Sequence, residues 1–184
     1  MKLFQRLLLL LTLSSFIPVL AGEVSEYSVK AAYLFNFAKF VQWPAKAFKN
    51  EKSHLVIGVL GDDPFGEELD QVVEGKTING HSIETRRFDN FDPKLAPDLS
   101  QCHILFIAYS EKGRLKNILE SLKNSRILTV SEIENFPILG GGILFDQVGK
   151  RVKLIINLDA AHKAGLVISA KLLQVSKVYK SGKL

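Results

Sequence analysis

Apolar residues in this chain come in short blocks of two periods, and the blocks alternate. Between residues 25 and 42, Val29, Ala32, Tyr33, Phe37, Phe40 and Val41 recur at helical spacing while Lys30, Asn36 and Lys39 lie off that stripe, which predicts a core helix. Ser25 or Ser28 suits its start, and Pro44, just past Trp43, its end. The run from His54 to Leu60 is a short buried strand that ends in Gly61-Asp62-Asp63-Pro64-Phe65-Gly66. Pro64 there suits the first turn of a helix capped by Asp62 or Asp63 and running through Leu69 and Val73 to about Gly75. Residues 76 to 88 read as two extended pieces across the hairpin signal Asn79-Gly80.

The second half repeats the alternation. His103 to Ala108 is a buried strand, Ser110 to Leu122 an amphipathic helix with Leu115, Ile118, Leu119 and Leu122 inward, and Arg126 to Val130 another buried strand. Ser131 with Glu134 forms a capping box for a brief helix. Gly140-Gly141-Gly142 enters a strand at Ile143 to Phe145, where a run of glycines suits a close approach to the sheet or a bulge. After the turn at Val148-Gly149-Lys150 a strand covers 152 to 158, with Val152, Leu154 and Ile156 inward and Lys153 and Asn157 on a wetter face. Residues 159 to 179 read as helical material, broken or bent near Gly165. Short buried strands alternating with helices predict a single α/β domain with a mixed, largely parallel sheet covered by helices on both faces.

Composition changes the picture at the amino terminus. Of 184 residues, 47% are hydrophobic and 23% charged, a globular balance. Residues 1 to 21, however, combine Lys2, Arg6 and a run of leucines with no acid, and Val19 and Ala21 precede a suitable cut, which reads as a cleaved secretory signal peptide. The expected mature domain is 22–184, exported to the periplasm, and no cysteine follows the cut to carry a lipid anchor. Without Lys2 and Arg6 the basic count drops from 24 to 22 against 19 acids, so the net charge falls from +5 to +3. No long basic run remains, and nucleic acid is not an expected partner.

Catalytic chemistry finds little support in the residue pattern. His54, His81, His103 and His162 lack metal-ligand spacing, and a single cysteine, Cys102, cannot build a thiolate site or an internal disulfide. No GxSxG occurs, and Ser169-Ala170-Lys171 has the wrong spacing for a Ser-x-x-Lys pair. Neither a catalytic set, nor a metal, nor a cofactor is therefore expected. In parallel sheets ligands bind beyond the carboxyl ends of strands. That rule selects Asp62, Asp63 and Phe65 after the first buried strand, Ser110 after the second, Ser131 after the third, and Arg151 as a charge partner across the sheet.

One ordered set of motifs resembles a known family. The segment Val29 to Pro44 (VKAAYLFNFAKFVQWP), the loop Gly61 to Gly66 (GDDPFG), Cys102 to Ile107, Leu128 to Ser131, Gly140 to Ile143, Val152 to Asn157 and Gly165 to Leu173 together resemble the YfiR family of small periplasmic proteins. The resemblance implies an α/β regulator that binds the periplasmic domain of a membrane diguanylate cyclase and represses it, lowering cyclic di-GMP and biofilm formation. It also implies release by a peptidoglycan-associated lipoprotein, and a homodimer. It carries across no catalytic residue. Family members often pair a cysteine at the position of Cys102 with one near Gly58, and this chain has no such partner, so the implied redox disulfide is not expected here. The alternative from the residues alone is a periplasmic small-ligand-binding module without a cyclase partner.

Overall fold

The computed structural model describes residues 25 to 180. The element order is α1 (Glu26–Phe40), β1 (Val41–Gln42), β2 (Leu55–Leu60), α2 (Glu67–Val73), β3 (Thr77–Ile78), β4 (His81–Phe88), α3 (Ala96–Leu99), β5 (Ile104–Ile107), α4 (Leu115–Ser121), β6 (Leu128–Ser131), β7 (Ile143–Val148), β8 (Arg151–Asn157), α5 (Leu158–Lys163), β9 (Val167–Ile168), α6 (Ala170–Gln174) and β10 (Lys177–Tyr179). Eight strands form one sheet in the order β10-β8-β7-β6-β5-β2-β4-β3, while β1 and β9 pair separately. The run β7-β6-β5-β2-β4 is parallel throughout, and antiparallel steps occur only at β7–β8 and β3–β4. The expected mixed, largely parallel sheet in a single α/β domain is what forms.

Alternation along each strand splits the core into two layers. Ile57, Val59, Ile104, Phe106, Leu128 and Val130 face α1, α2, α5 and α6, where they meet Leu34, Phe37, Leu69, Ala161 and Leu172. Val56, Leu60, Leu105 and Ile107 face the other way, onto Leu99, Leu115, Ile118 and Phe136. Fully burying one such side chain stabilises by about 1.5–3 kcal/mol, so both faces of the central strands contribute to the fold. The hairpin forms as expected: Asn79 and Gly80 both adopt positive φ, 52° and 86°, the pair a type I′ turn requires. The glycine run also behaves as expected, because a Cβ on Gly142 would stand 2.8 Å from the Thr129 carbonyl oxygen.

Six local readings are corrected. First, α1 buries Lys30, Ala31, Leu34, Phe37 and Ala38, whereas Ala32 is exposed and Val29, Tyr33 and Phe40 are half-buried. Small residues sit where the helix backbone meets the sheet, and the larger aromatics pack along its flanks. Second, α2 begins at Glu67 after Gly66, so neither Asp62 nor Asp63 caps it; Asp63 Oδ1 instead accepts from the Phe65 N–H in a tight turn. The third concerns 110 to 122, where the chain starts as a 3₁₀ turn, Tyr109–Arg114, before α4. Fourth, no helix follows Ser131: its Oγ donates to the Ile107 carbonyl and accepts from the Ile133 N–H, closing the strand end. Fifth, residues 159 to 179 are not one bent helix. They supply α5, β9, α6 and β10, because the open edge of β8 pairs with Lys177 to Tyr179 and overrides the local helical period. Sixth, in the stretch of β8 that pairs with β10, Asn157 is buried rather than wet: its side chain donates to the Pro137 carbonyl and accepts from the Ala160 N–H as the cap of α5.

Candidate functional site

The carboxyl ends of β2, β5 and β6 lie side by side, with Leu60 opposite Ile107 and Ile107 opposite Ser131. That edge does bring two of the sequence-selected residues together: Ser110 Oγ accepts from the Asp62 N–H at 2.9 Å. Asp63 turns aside to Arg87, whose guanidinium also binds Asp70 and the Gly66 carbonyl. Those bonds raise the Arg87 pKa; on Asp70 they lower it, outweighing the opposing effect of burial. Phe65 is buried, edge-on to Phe106 at 4.8 Å and to Tyr27 at 5.7 Å. Ser131 is buried and committed to its two strand-end bonds. Arg151 stands exposed opposite Val148, at the far tip of the β7–β8 hairpin, and is not brought to the others.

The space beneath this edge holds a residue that the sequence pattern assigned to the wet side of α1. Lys30 is 1% exposed and its ammonium donates to both Glu26 and Glu132. It also lies 4.6 Å from the centre of the Tyr27 ring, and the Tyr27 hydroxyl donates to Glu132 at 3.3 Å. Burial opposes the charge on Lys30, yet the two carboxylates outweigh it and raise its pKa; burial and Glu132 raise that of Tyr27. The carboxyl edge is therefore closed by an internal charge pair. The spacing of Glu26 and Lys30, four residues apart with the acid first, was the one sequence signal for it.

A groove of about 630 Å³ opens instead at the amino-terminal edge, where β2, β5 and β6 begin. His103 lies in its lining and is 4% exposed. Its Nδ1 accepts from the Val56 N–H at 3.1 Å, which puts the ring proton on Nε2. Among the described residues no acceptor meets that Nε2 in hydrogen-bonding geometry, although the Ala47 backbone lies near enough to act on the ring. Burial, helped by neighbouring His81 and opposed by the Ala47 backbone, pushes the imidazole pKa down to about 4. The Phe48 ring is sandwiched between His81 at 4.0 Å and His103 at 4.3 Å, and Trp43 Nε1 donates to the His103 carbonyl. Of these, the sequence marked only Trp43, as the end of the core helix; together they order the chain along one wall.

Beside His103, burial pushes the Cys102 thiol up to about 12. At neutral pH the groove thus offers an uncharged imidazole and an un-ionised thiol, neither poised for proton transfer or nucleophilic attack. Its rim carries Lys46, Lys49 and Arg126, none of which has an ion pair among the described residues. Arg86 is paired with Glu84, and the rim's Glu120 with Lys123. Among the described residues there is no group of three or more His, Cys, Asp or Glu able to hold a metal ion.

Comparison with known proteins decides the family. The model of the YfiR/HmsC-like family matches residues 27–177. This chain belongs to that family. At family level the YfiR/HmsC-like assignment supports the role of a periplasmic regulator in cyclic di-GMP signalling. No curated protein matches the sequence. A solved structure, the crystal structure of a conserved domain protein from Vibrio cholerae O1 biovar El Tor strain N16961, is similar at a TM-score of 0.52 and 13% identity. The alignment covers 68% of this YfiR/HmsC-like chain and 55% of the Vibrio one, so the chain spans little over half of that protein's length and the likeness concerns the fold alone. No described helix is long and apolar enough to cross a membrane.

Proposed function

We propose that this protein is an exported regulator that docks on the periplasmic domain of a membrane diguanylate cyclase and inhibits it, so lowering cyclic di-GMP and biofilm formation. The observation that carries this reading is the family match across residues 27–177. The chemistry of the amino-edge groove supports it, since the buried His103 and Cys102 sit in the wrong protonation states for acid–base or nucleophilic work. Release by a peptidoglycan-associated lipoprotein and homodimer formation belong to the same reading. Export rests on residues 1 to 21, which lie outside the described residues; the amino terminus of protein recovered from periplasm should be Gly22.

The deciding experiment is a pull-down of the mature protein against the membrane diguanylate cyclases of the same cell, paired with deletion of the gene. Capture of a cyclase through its periplasmic domain, with cyclic di-GMP rising on deletion, is the expected result. No capture together with an unchanged cyclic di-GMP level would overturn the reading.

A further inference from the structure

We propose that the groove at the amino-terminal edge of the sheet binds a small organic polyanion, a compact molecule carrying two or more phosphate or carboxylate groups. Its volume of about 630 Å³ lies within the range of small-molecule sites. The concavity suits a compact ligand rather than the extended backbone of a nucleic acid.

Three independent features converge on it. Lys46 and Lys49 come from the segment after Pro44 and Arg126 from the loop before β6, so two distant parts of the chain place unpaired cations on one rim. The opposing acid, Glu120, is already held by Lys123. Three positive charges on one mouth repel one another, and this is a cost that a multiply charged anion removes. Second, the Nε2 of His103 is the one buried side-chain nitrogen or oxygen among the described residues without a hydrogen-bond partner, and it belongs to the lining of this groove. That atom has almost no surface open to solvent, so an acceptor from the groove, an anionic oxygen or its bridging water, meets it only when the lining shifts. Third, Val56 and Cys102 add buried apolar side chains to the lining, beside the Arg86 that Glu84 already pairs, which suits the frame of a small organic molecule.

Isothermal titration of the purified protein at low ionic strength tests this with three probes: inorganic pyrophosphate, citrate, and neutral sorbitol. The first two separate a phosphate preference from a carboxylate preference. Saturable binding of one or both, none of sorbitol, and a loss of at least about tenfold in the Lys46→Gln/Arg126→Gln double variant are expected. The exposed single variant Lys49→Gln should weaken binding by a smaller factor and leave thermal melting unchanged. A matched control, Lys153→Gln/Lys171→Gln on other surfaces, should bind as the parent does. The proposal is overturned by no saturable binding of either anion, by equal binding in the rim variants, or by equal weakening in the control. No cyclase is present in the experiment, so its failure leaves the docking reading standing.

Discussion

The two edges of the parallel sheet treat charge in opposite ways. At the carboxyl edge Lys30 is buried between Glu26 and Glu132, and Arg87 is shared by Asp63, Asp70 and the Gly66 carbonyl. At the amino edge Lys46, Lys49 and Arg126 have no ion pair among the described residues and stand above a buried imidazole whose Nε2 meets no acceptor there in hydrogen-bonding geometry. Strand-end geometry favours the carboxyl edge for ligands, but that rule concerns where backbone leaves room. Here α1 packs across the room and fills it with its own cation. The comparison teaches that the location of unsatisfied charge and unsatisfied hydrogen-bonding capacity is a separate question from topology.

The largest test of the contrast is Lys30. If the carboxyl edge is a closed charge pair, Lys30→Ala should cost about 2–4 kcal/mol in urea unfolding, since it empties a buried site and leaves the half-buried Glu132 without its cation. Lys30→Met, which keeps the volume, should lose clearly less. Equal and small losses in both would mean that the pair is merely a surface contact.

Next comes His103. Its folded pKa of about 4 lies below the ordinary 6.5, so the unfolded chain takes up the proton first. Stability is fully present above pH 6.5 and falls as pH drops toward 4, by up to about 3 kcal/mol. Protonation would also set an Nδ1 donor against the Val56 N–H donor. Unfolding measured from pH 7 to 4 should show this loss, and His103→Leu should remove that part of the slope. Asp70 and Glu84, whose pKa values are lowered, lose their contribution further down the scale in both proteins.

A smaller effect is expected at Gly58. A Cβ there would stand 2.7 Å from Cys102 Sγ and 2.9 Å from Leu105, so Gly58→Ala should cost about 1–3 kcal/mol by overpacking. Gly58→Cys converts the same closeness into a bond: under oxidising conditions both thiols should disappear from a thiol titration and the lost stability should return. Two persistent free thiols would show that the wall of the groove cannot adjust. The smallest effect belongs to Asp63→Ala, whose partner Arg87 is well exposed and keeps Asp70; thermal or urea unfolding should change by less than about 1 kcal/mol.

Much of this fold was legible because its signals are local. Dense apolar runs marked β2, β5 and β6, Asn79-Gly80 marked the hairpin, and the glycine run before β7 marked a close approach. The candidate site was less legible. Asp62 and Ser110 do meet, yet Phe65 and Ser131 were selected for position and turn out to be packing and strand-end residues, and Arg151 lies on a distant hairpin. The rim cations passed unnoticed because Lys46, Lys49 and Arg126 share no spacing along the chain.

By itself the sequence determined the alternation of helix and buried strand and the mixed, largely parallel sheet it implies, since each depends on neighbours within about a dozen residues. Only the tertiary structure decided which face of α1 turns inward, that residues 177 to 179 join β8 as a strand, and which edge of the sheet keeps its charges unpaired. The reason is range. Lys30 finds Glu132 across 102 residues and His103 finds Val56 across 47, and no local periodicity encodes a partner so far away.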